Sequence, residues 1–463
     1  MKWYGRLFRY PEIWLLSLFS ILTRTWHLGY PSAIVFDEVY FRSFASDYLS
    51  GQYFFDIHPP LIKLLFAGVG SMLSLAPDQV ASTSDATIAL RAIPALSGAA
   101  LIPLIYVIIR QLGLGRRIAT FGALLILFDN ALLVESRFVL MDSILLLSGF
   151  ASFSIYLALR RKEGRERVKW LILLGISLGI LVSTKWSGLA FFGLIGLWWV
   201  VDVSRSMKFD VRAIIYELLT VSTIVICVYI SSFALHFSLL TKTGEGDVYM
   251  SEKFQATLVG NPRYNENDRL PFLDKFIELN QQMYSSQSSL NNTTHPYSSR
   301  WYTWPLMLRP VYYWQGEPKS NGTQEHIYLI GNPVVWLIGL ISLIIALFVR
   351  IFRNSWLKSK KELLTMLLIG YFINFVPFIF IQRPMFLYHY FFAFILSILI
   401  ACVMLWLLMA WLKKSHSKKV ANTVYVGTSF IVIMSFVFFL PLSYGWPLSL
   451  YELDWRVWLP SWR

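Results

Sequence analysis

The sequence predicts an all-α polytopic membrane protein with about eleven transmembrane helices and its polar chemistry in external loops. Three observations predict it. First, 56% of the 463 residues are hydrophobic and 17% aromatic, which leaves too little polar surface to cover a water-soluble globule of this size. Second, the apolar stretches are long enough to cross a hydrocarbon core of about 30 Å and lack the short alternation of outer-membrane barrel strands. Third, the net charge of +14 gathers in short basic clusters between apolar stretches. That pattern orients membrane spans and argues against nucleic acid as the partner. Cys227 and Cys402 lie inside apolar runs, which argues against a disulfide framework or a thiolate metal site.

Each element follows from the alternation of apolar runs and basic loops. Lys2, Arg6 and Arg9 place the N-terminus in the cytoplasm. The first span, near Pro11 to Leu28, is too long for a removable signal peptide and lacks its small-residue cleavage site, so it reads as a retained anchor. An external loop, 29–86, follows. The second span, near Ile88 to Ile109, returns to Arg110, Arg116 and Arg117. The third runs out to about Glu135, and the fourth returns from about Phe138 to Leu159, ahead of RRKEGRERVK. The block from Trp170 to Val201 lies between that loop and Arg205, Lys208 and Arg212, so parity requires two short spans with Lys185 near their external turn. The seventh span, about Ala213 to Phe237, leads to the longest polar region, roughly Ser238 to Tyr328. The eighth enters the basic loop from Arg350 to Lys361, and the ninth runs out to Gln382 and Arg383. The tenth runs in to KKSHSKK, and the eleventh ends near Leu440 with the C-terminus outside. The chain divides into an N-terminal membrane module, 1–237, a large external loop, 238–330, and a C-terminal membrane module, 331–463. The Trp-rich tail WPLSLYELDWRVWLPSW reads as an interfacial anchor rather than a folded domain.

This topology brings several ionisable residues to the outer face, where charge at a membrane surface usually has a task. In FDEVYFRSFASDYLSGQYFFDIHPPL, Asp37 and Glu38 are adjacent and project about 100° apart on a helix. They read either as an acidic pair capping a surface helix or as a base beside a binding residue, with Arg42 four positions after Glu38 as its partner. His58, fixed by Pro59 and Pro60, either pairs with Asp56 or faces a ligand. Arg91 opens the second span. Arg137 is an anchor at the headgroups or a ligand contact, whereas Asp142 lies further into the predicted helix and needs a partner or a watery cavity. Lys185 and Arg383 read as snorkelling anchors or as a clamp on a lipid phosphate. The stretch HPYSSRWYTWPLMLRPVYYW gathers His295, Trp301, Trp304 and Arg309 among aromatics, forming an interfacial belt or the wall of a sugar or peptide groove. Asn291 and Asn321 sit in N-x-T sequons. No metal-ligand spacing is visible.

Eight segments in order resemble the protein O-mannosyltransferase family: FDEVYFRSFASDYLSGQYFFDIHPPLIKLL, FDNALLVESRFVLMDSILL, STKWSGL, SSFALHFSLLTKTGEGDVYMSEKFQATLVGN, HPYSSRWYTWPLMLRPVYYW, IGNPVVW, RPMFLYHY and LPLSYGWPL. The resemblance covers nearly the whole chain. It implies a GT-C-like membrane glycosyltransferase that moves mannose from polyprenyl (dolichyl) phosphate mannose to Ser/Thr hydroxyls of secreted or membrane proteins, at external catalytic loops. It further implies that Asp37 is the catalytic carboxylate and that Glu38 supports donor or acceptor binding. Arg91, Lys185, Arg383 and His389 match basic positions of the family. The large loop lacks the β-trefoil domain of eukaryotic members, which fits a prokaryotic-type protein of the plasma membrane. The donor is a substrate and no cofactor is required, with metal dependence left open; a phosphate leaving group needs no general acid, so one base suffices. The resemblance allows a dimer or a translocon association, on which no heptad or GxxxG pattern decides. A related transferase acting on another sugar, or on a lipid or wall polymer, shares the acidic loop. A transporter would place charges near the midplane and repeat its halves, unlike this chain.

Overall fold

The computed structural model describes residues 10–82, 86–205, 210–289, 295–351 and 360–463. The basic residues Lys2, Arg6, Arg9 and Lys208 and the sequon at Asn291 lie outside them. Among the described residues, nine helices are long and apolar enough to cross a membrane: Ala86–Gln111, Asp142–Leu159, Gly164–Thr184, Trp186–Arg205, Val211–Leu239, Pro333–Ile351, Lys361–Phe380, Leu387–Ser415 and Lys418–Tyr444. Two of the spans expected from the sequence fall short of that length. The first, α1 (Pro11–Thr25), has 15 residues. The other is broken, with Arg116–Leu127 followed by the single turn and a half of Asn130–Glu135.

The break has a physical cause. Buried Arg24 of α1 reaches the terminal carbonyls of the Arg116–Leu127 helix, donating to Leu127 O at 3.3 Å and Ile126 O at 3.4 Å. Fully buried Asp129 caps the next turn, accepting from Leu132 N at 2.9 Å, from Asn332 N at 3.0 Å and from the Trp336 indole at 2.9 Å. Freed backbone groups at membrane depth are thus satisfied by protein, the condition under which a spanning helix tolerates interruption. The segment SRFVLMD then runs without helix, and Asp142 opens its helix as the first residue instead of lying further in, as the hydropathy suggests.

Between the first two apolar segments, the external loop folds into α2 (Glu38–Ser50), α3 (Leu61–Met72) and a short turn at Pro77–Ala81. The KTGEGD segment lies directly on it. Tyr53 N donates to Lys242 O at 2.9 Å and Gly246 N to Tyr53 O at 3.1 Å. Gly244 allows this approach, since a Cβ there would sit 2.2 Å from Tyr53 O. Asp247 holds the loop, accepting from Thr243 Oγ1 at 2.5 Å, Gly244 N at 3.1 Å and Asn261 Nδ2 at 2.7 Å.

The large loop also contributes an antiparallel sheet in the order β1 (Val311–Gln315), β2 (Thr323–Leu329), β3 (Pro447–Ser449). The third strand comes from the C-terminal tail, so that tail is not the detached anchor its composition suggests. Trp462 is buried and donates its indole N–H to Met307 O at 2.9 Å, while Trp455 and Trp458 stay exposed. Both ends of the tail pack, and the stretch between them presents aromatic surface. Composition alone does not separate the two.

Candidate active site

A cavity of about 570 Å³ opens where α2, the SRFVLMD turn and the start of the Trp186–Arg205 helix meet, lined by Asp37, Asp56, His58, Glu135, Asp142 and Lys185 among others. A second cavity of about 350 Å³, walled mostly by Leu145, Leu189, Pro377, Phe378 and Phe392, shares Asp142, Lys185 and Tyr388 with the first. The pair forms a polar chamber beside an apolar one, with a cation at the junction. A larger cavity of about 660 Å³ lies at the opposite helix ends, where Arg160 pairs with Asp202 at 2.6 Å and Arg167 with Glu217 at 2.5 Å.

Asp37 and Glu38, adjacent in sequence, have opposite surroundings. Asp37 stands at the N-cap of α2, yet its side chain caps nothing, and its carboxyl makes no hydrogen bond or ion pair among the described residues. Burial pushes that carboxyl up to about 6; Lys185 opposes the shift, and Asp142 and Asp56 add to it. The preceding Phe36 is held at φ 50°, a left-handed conformation a bulky residue rarely adopts, and its ring stacks on Tyr313 at 4.3 Å with 8° between planes. Glu38 is fully buried and spent. Its oxygens accept from Arg91 Nε and Nη2, both at 2.8 Å, from Val35 N at 3.0 Å and from Val139 N at 2.8 Å. Arg91 also donates to Leu28 O, Pro31 O and Ala33 O at 3.2, 2.9 and 3.1 Å. The expectation that Glu38 is catalytic or contacts a substrate, and that Arg91 binds one, thus falls on two buried side chains whose polar atoms are engaged within the protein. Together they rivet α2, the loop before it and the SRFVLMD turn, which leaves neither side chain free. Arg42, the expected partner of Glu38, donates instead to Ser82 O at 2.8 Å and Thr87 Oγ1 at 3.0 Å.

Arg137 is likewise internal. It donates to Arg24 O, Trp26 O and His27 O at 3.2, 2.7 and 3.1 Å, with its guanidinium 4.5 Å from the Tyr444 ring centre. Its burial corrects the reading as a headgroup anchor. Asp142 and Lys185 do meet, at 3.1 Å, and Lys185 Nζ lies 5.3 Å from the Tyr388 ring centre. Asp56 pairs with Lys63 rather than with His58, and Lys63 also donates to His58 O at 2.6 Å. His58 keeps a buried Nδ1 without a partner. Burial, reinforced by the positive charges of Lys185, Lys63 and Arg383, holds its imidazole well below the usual histidine range and hence neutral. Arg383 is half-buried, near enough for its charge to act on His58, with no hydrogen bond or ion pair among the described residues. His389 lines the apolar cavity, stacked on Tyr388 at 4.7 Å.

The aromatic stretch backs this wall and does not open to it. Ser299 N donates to Met385 O at 2.7 Å, His295 packs edge-on to Phe386 at 4.9 Å and Trp301 to Phe375 at 5.1 Å. Trp304 is fully buried behind His389, its indole N–H on Ser299 Oγ at 2.9 Å, so it cannot face a sugar or peptide groove as expected. Arg309 is tied to Pro296 O. None of the four lines the polar cavity. Sequence reasoning gave no role to Glu135, which lines the cavity and accepts from Tyr313 OH at 2.6 Å. A carboxylate inside the apolar run NALLVES was the signal that could have found it.

Comparisons with known proteins bear on this arrangement. The family model described as dolichyl-phosphate-mannose-protein mannosyltransferase matches residues 14–241, and that of the C-terminal four TMM region of protein-O-mannosyltransferase matches 272–462. Dolichyl-phosphate-mannose–protein mannosyltransferase 4 of Candida albicans is 31% identical over 330 residues, 67% of this chain and 42% of the relative. Dolichyl-phosphate-mannose–protein mannosyltransferase 1 of the same organism is 36% identical over 277 residues, 54% of this chain and 31% of the relative. The chain thus spans less than half the length of these curated relatives. In fold it matches the Saccharomyces cerevisiae protein O-mannosyltransferase Pmt1-Pmt2 complex bound to the sugar donor, with a TM-score of 0.86 at 20% identity, covering 98% of this chain and 92% of that one. A weaker likeness, TM-score 0.55 at 12% identity, covers 99% of this chain and 58% of the Archaeoglobus fulgidus oligosaccharyltransferase. Two family models that together take in both membrane modules and most of the large loop, with relatives above 30% identity, leave one assignment: the chain is a member of the protein O-mannosyltransferase family.

Proposed function

We propose that the chain transfers mannose from polyprenyl phosphate mannose to Ser or Thr hydroxyls of proteins, with Asp37 as the base. The observation that carries this reading is an unpaired Asp37 carboxyl, raised to about 6, in a polar cavity joined through Lys185 to an apolar one. The apolar cavity suits the isoprenoid end of the donor. Lys185 at the junction and the uncommitted guanidinium of Arg383 supply positive charge for the phosphate, and neutral His58 lines the polar cavity without competing for a proton. Asp37 takes the proton of the acceptor hydroxyl as its oxygen bonds to the anomeric carbon. The bond from that carbon to the phosphate oxygen breaks on the opposite face, and the lipid phosphate leaves with the electron pair. A β-linked donor gives an α-linked product. Phosphate leaves without a general acid, so one base suffices and the reading assigns no cofactor. Positioning of the two substrates supplies much of the remaining acceleration.

The same proposal places the chain in a prokaryotic plasma membrane, N-terminus in the cytoplasm and Asp37 outside. The basic residues Arg110, Arg116, Arg160 and Arg205 at the helix ends away from the cavity support that orientation. Action as a dimer or beside a translocon belongs to it too, supported by the likeness to a two-chain complex.

The test is transfer of radiolabelled mannose from polyprenyl phosphate mannose to a Ser/Thr-rich peptide by purified wild type and Asp37→Asn. Label that appears with the wild type and vanishes with the folded variant supports both the reaction and the base. Equal transfer by the two removes Asp37, and no transfer by the wild type redirects the search to another sugar or acceptor.

A further inference from the structure

Four carboxylates line the polar cavity, and two are neutralised locally, Asp56 by Lys63 and Asp142 by Lys185. Asp37 and Glu135 remain without a cation. The mechanism uses Asp37 and leaves Glu135 idle, although a carboxylate is costly to keep this deep unless it serves something. Glu135 is 2% exposed, and one oxygen, Oε2, accepts from Tyr313 OH at 2.6 Å. Its second oxygen, Oε1, makes no hydrogen bond among the described residues and is open to the cavity that Glu135 lines.

The pair is rigid from both sides. Glu135 ends the turn capped by Asp129, and Tyr313 comes from β1 with its ring stacked on Phe36, the residue before Asp37. The charges acting on Glu135 are those of Asp142, Lys185 and Asp37. It lines the same cavity as the cation at the mouth of the apolar chamber and as the base. In the proposed reaction the sugar must occupy that cavity, since its anomeric carbon is bonded to the phosphate on one side and attacked by the acceptor oxygen on the other. A fixed carboxylate with a free acceptor oxygen, braced by a phenol, suits the hydroxyl groups of a hexose. A site built to bond hydroxyls rejects a ligand that lacks them far more strongly than a merely apolar pocket does.

We propose that Glu135, positioned by Tyr313, binds the sugar hydroxyls of the lipid-phosphate donor and sets the protein's preference for its sugar. The proposal rests on the mannosyl transfer reading above, and its test separates the two. Binding of polyprenyl phosphate mannose and of sugarless polyprenyl phosphate is measured on the purified full chain for wild type, Glu135→Ala, Glu135→Gln and Tyr313→Phe. The wild type is expected to bind the sugar-bearing lipid about tenfold more tightly than the sugarless one, the scale of one hydrogen bond to a charged group. In Glu135→Ala that increment disappears while the sugarless lipid binds as before, and Glu135→Gln, which keeps an acceptor oxygen, recovers part of it. Tyr313→Phe reduces it without abolishing it. An undiminished increment in Glu135→Ala and Glu135→Gln, or equal weakening of both lipids, overturns the proposal. So does a change confined to the KM of the acceptor peptide, which would assign Glu135 to the protein substrate. A wild type that binds neither lipid refutes the transfer reading itself and this inference with it.

Discussion

The acidic pair divides its labour by geometry. Asp37 has burial without a partner, so its carboxyl titrates near 6; Glu38 has burial with a guanidinium and two backbone amides, and it holds the fold. The proposed transfer uses the base form of Asp37. Activity is therefore expected to fall as pH drops through about 6, and a kcat/KM profile of the wild type should show that acid limb. Asp37→Asn should lose about a hundredfold or more in kcat across the range. Stability moves the other way. A raised carboxyl opposes the folded state increasingly as pH rises from its ordinary value through about 6, so the folded Asp37→Asn should melt no lower than wild type at pH 7.5. Glu38→Gln has the opposite signature, because it strips Arg91 of a buried countercharge. A loss on the order of 3–5 kcal/mol is expected, read as a lower melting temperature in detergent. The neighbouring residues were visible in sequence as an acidic pair, and so was the cation at position 185. Which carboxylate was free was not legible, because the partner of Glu38 lies 53 residues away on another helix instead of four residues on.

At the scale of elements, the spanning helices were legible because membrane crossing is a property of composition and loop charge. The break after Leu127 was not, because it is set by Arg24 and Asp129 reaching in from remote positions. The sheet was hidden for a similar reason. Its third strand is three residues of a Trp-rich tail that lies more than a hundred residues beyond β2. The contact between the KTGEGD loop and Tyr53 is the element most exposed to a single change. A Cβ on Gly244 meets Tyr53 O at 2.2 Å, N at 2.9 Å and C at 3.0 Å, all backbone atoms without a rotamer to yield. Gly244→Ala should cost about 1–3 kcal/mol and loosen the loop from the floor of the site. Limited proteolysis should then cut between Leu240 and Asn261 faster than in wild type, with reduced mannose transfer, whereas Gly427→Ala, which meets nothing within 4 Å, should change neither.

Over the whole molecule, the candidate site groups and the basic loops occupy opposite helix ends. Asp37, Asp142 and Lys185 gather at one end; at the other, Arg160 and Arg167 are already paired with Asp202 and Glu217. If the basic end faces the cytoplasm, the hairpin between β1 and β2 must face outside, since the Glu135–Tyr313 bond ties β1 to the reactive end. This orientation has a direct measurement. The two native cysteines lie within apolar helices, Cys402 buried and Cys227 on the helix surface, so background reaction with a charged, membrane-impermeant thiol reagent should be low. Asn321 in the hairpin and Arg165 in the first turn of the Gly164–Thr184 helix, at the basic end, are both exposed. In intact cells Asn321→Cys should react within minutes and Arg165→Cys only after the membrane is permeabilised. Reaction of Arg165→Cys alone in intact cells would invert the molecule. It would set Asp37 facing the cytoplasm, where the proposed acceptors, proteins already carried across the membrane, could not reach it.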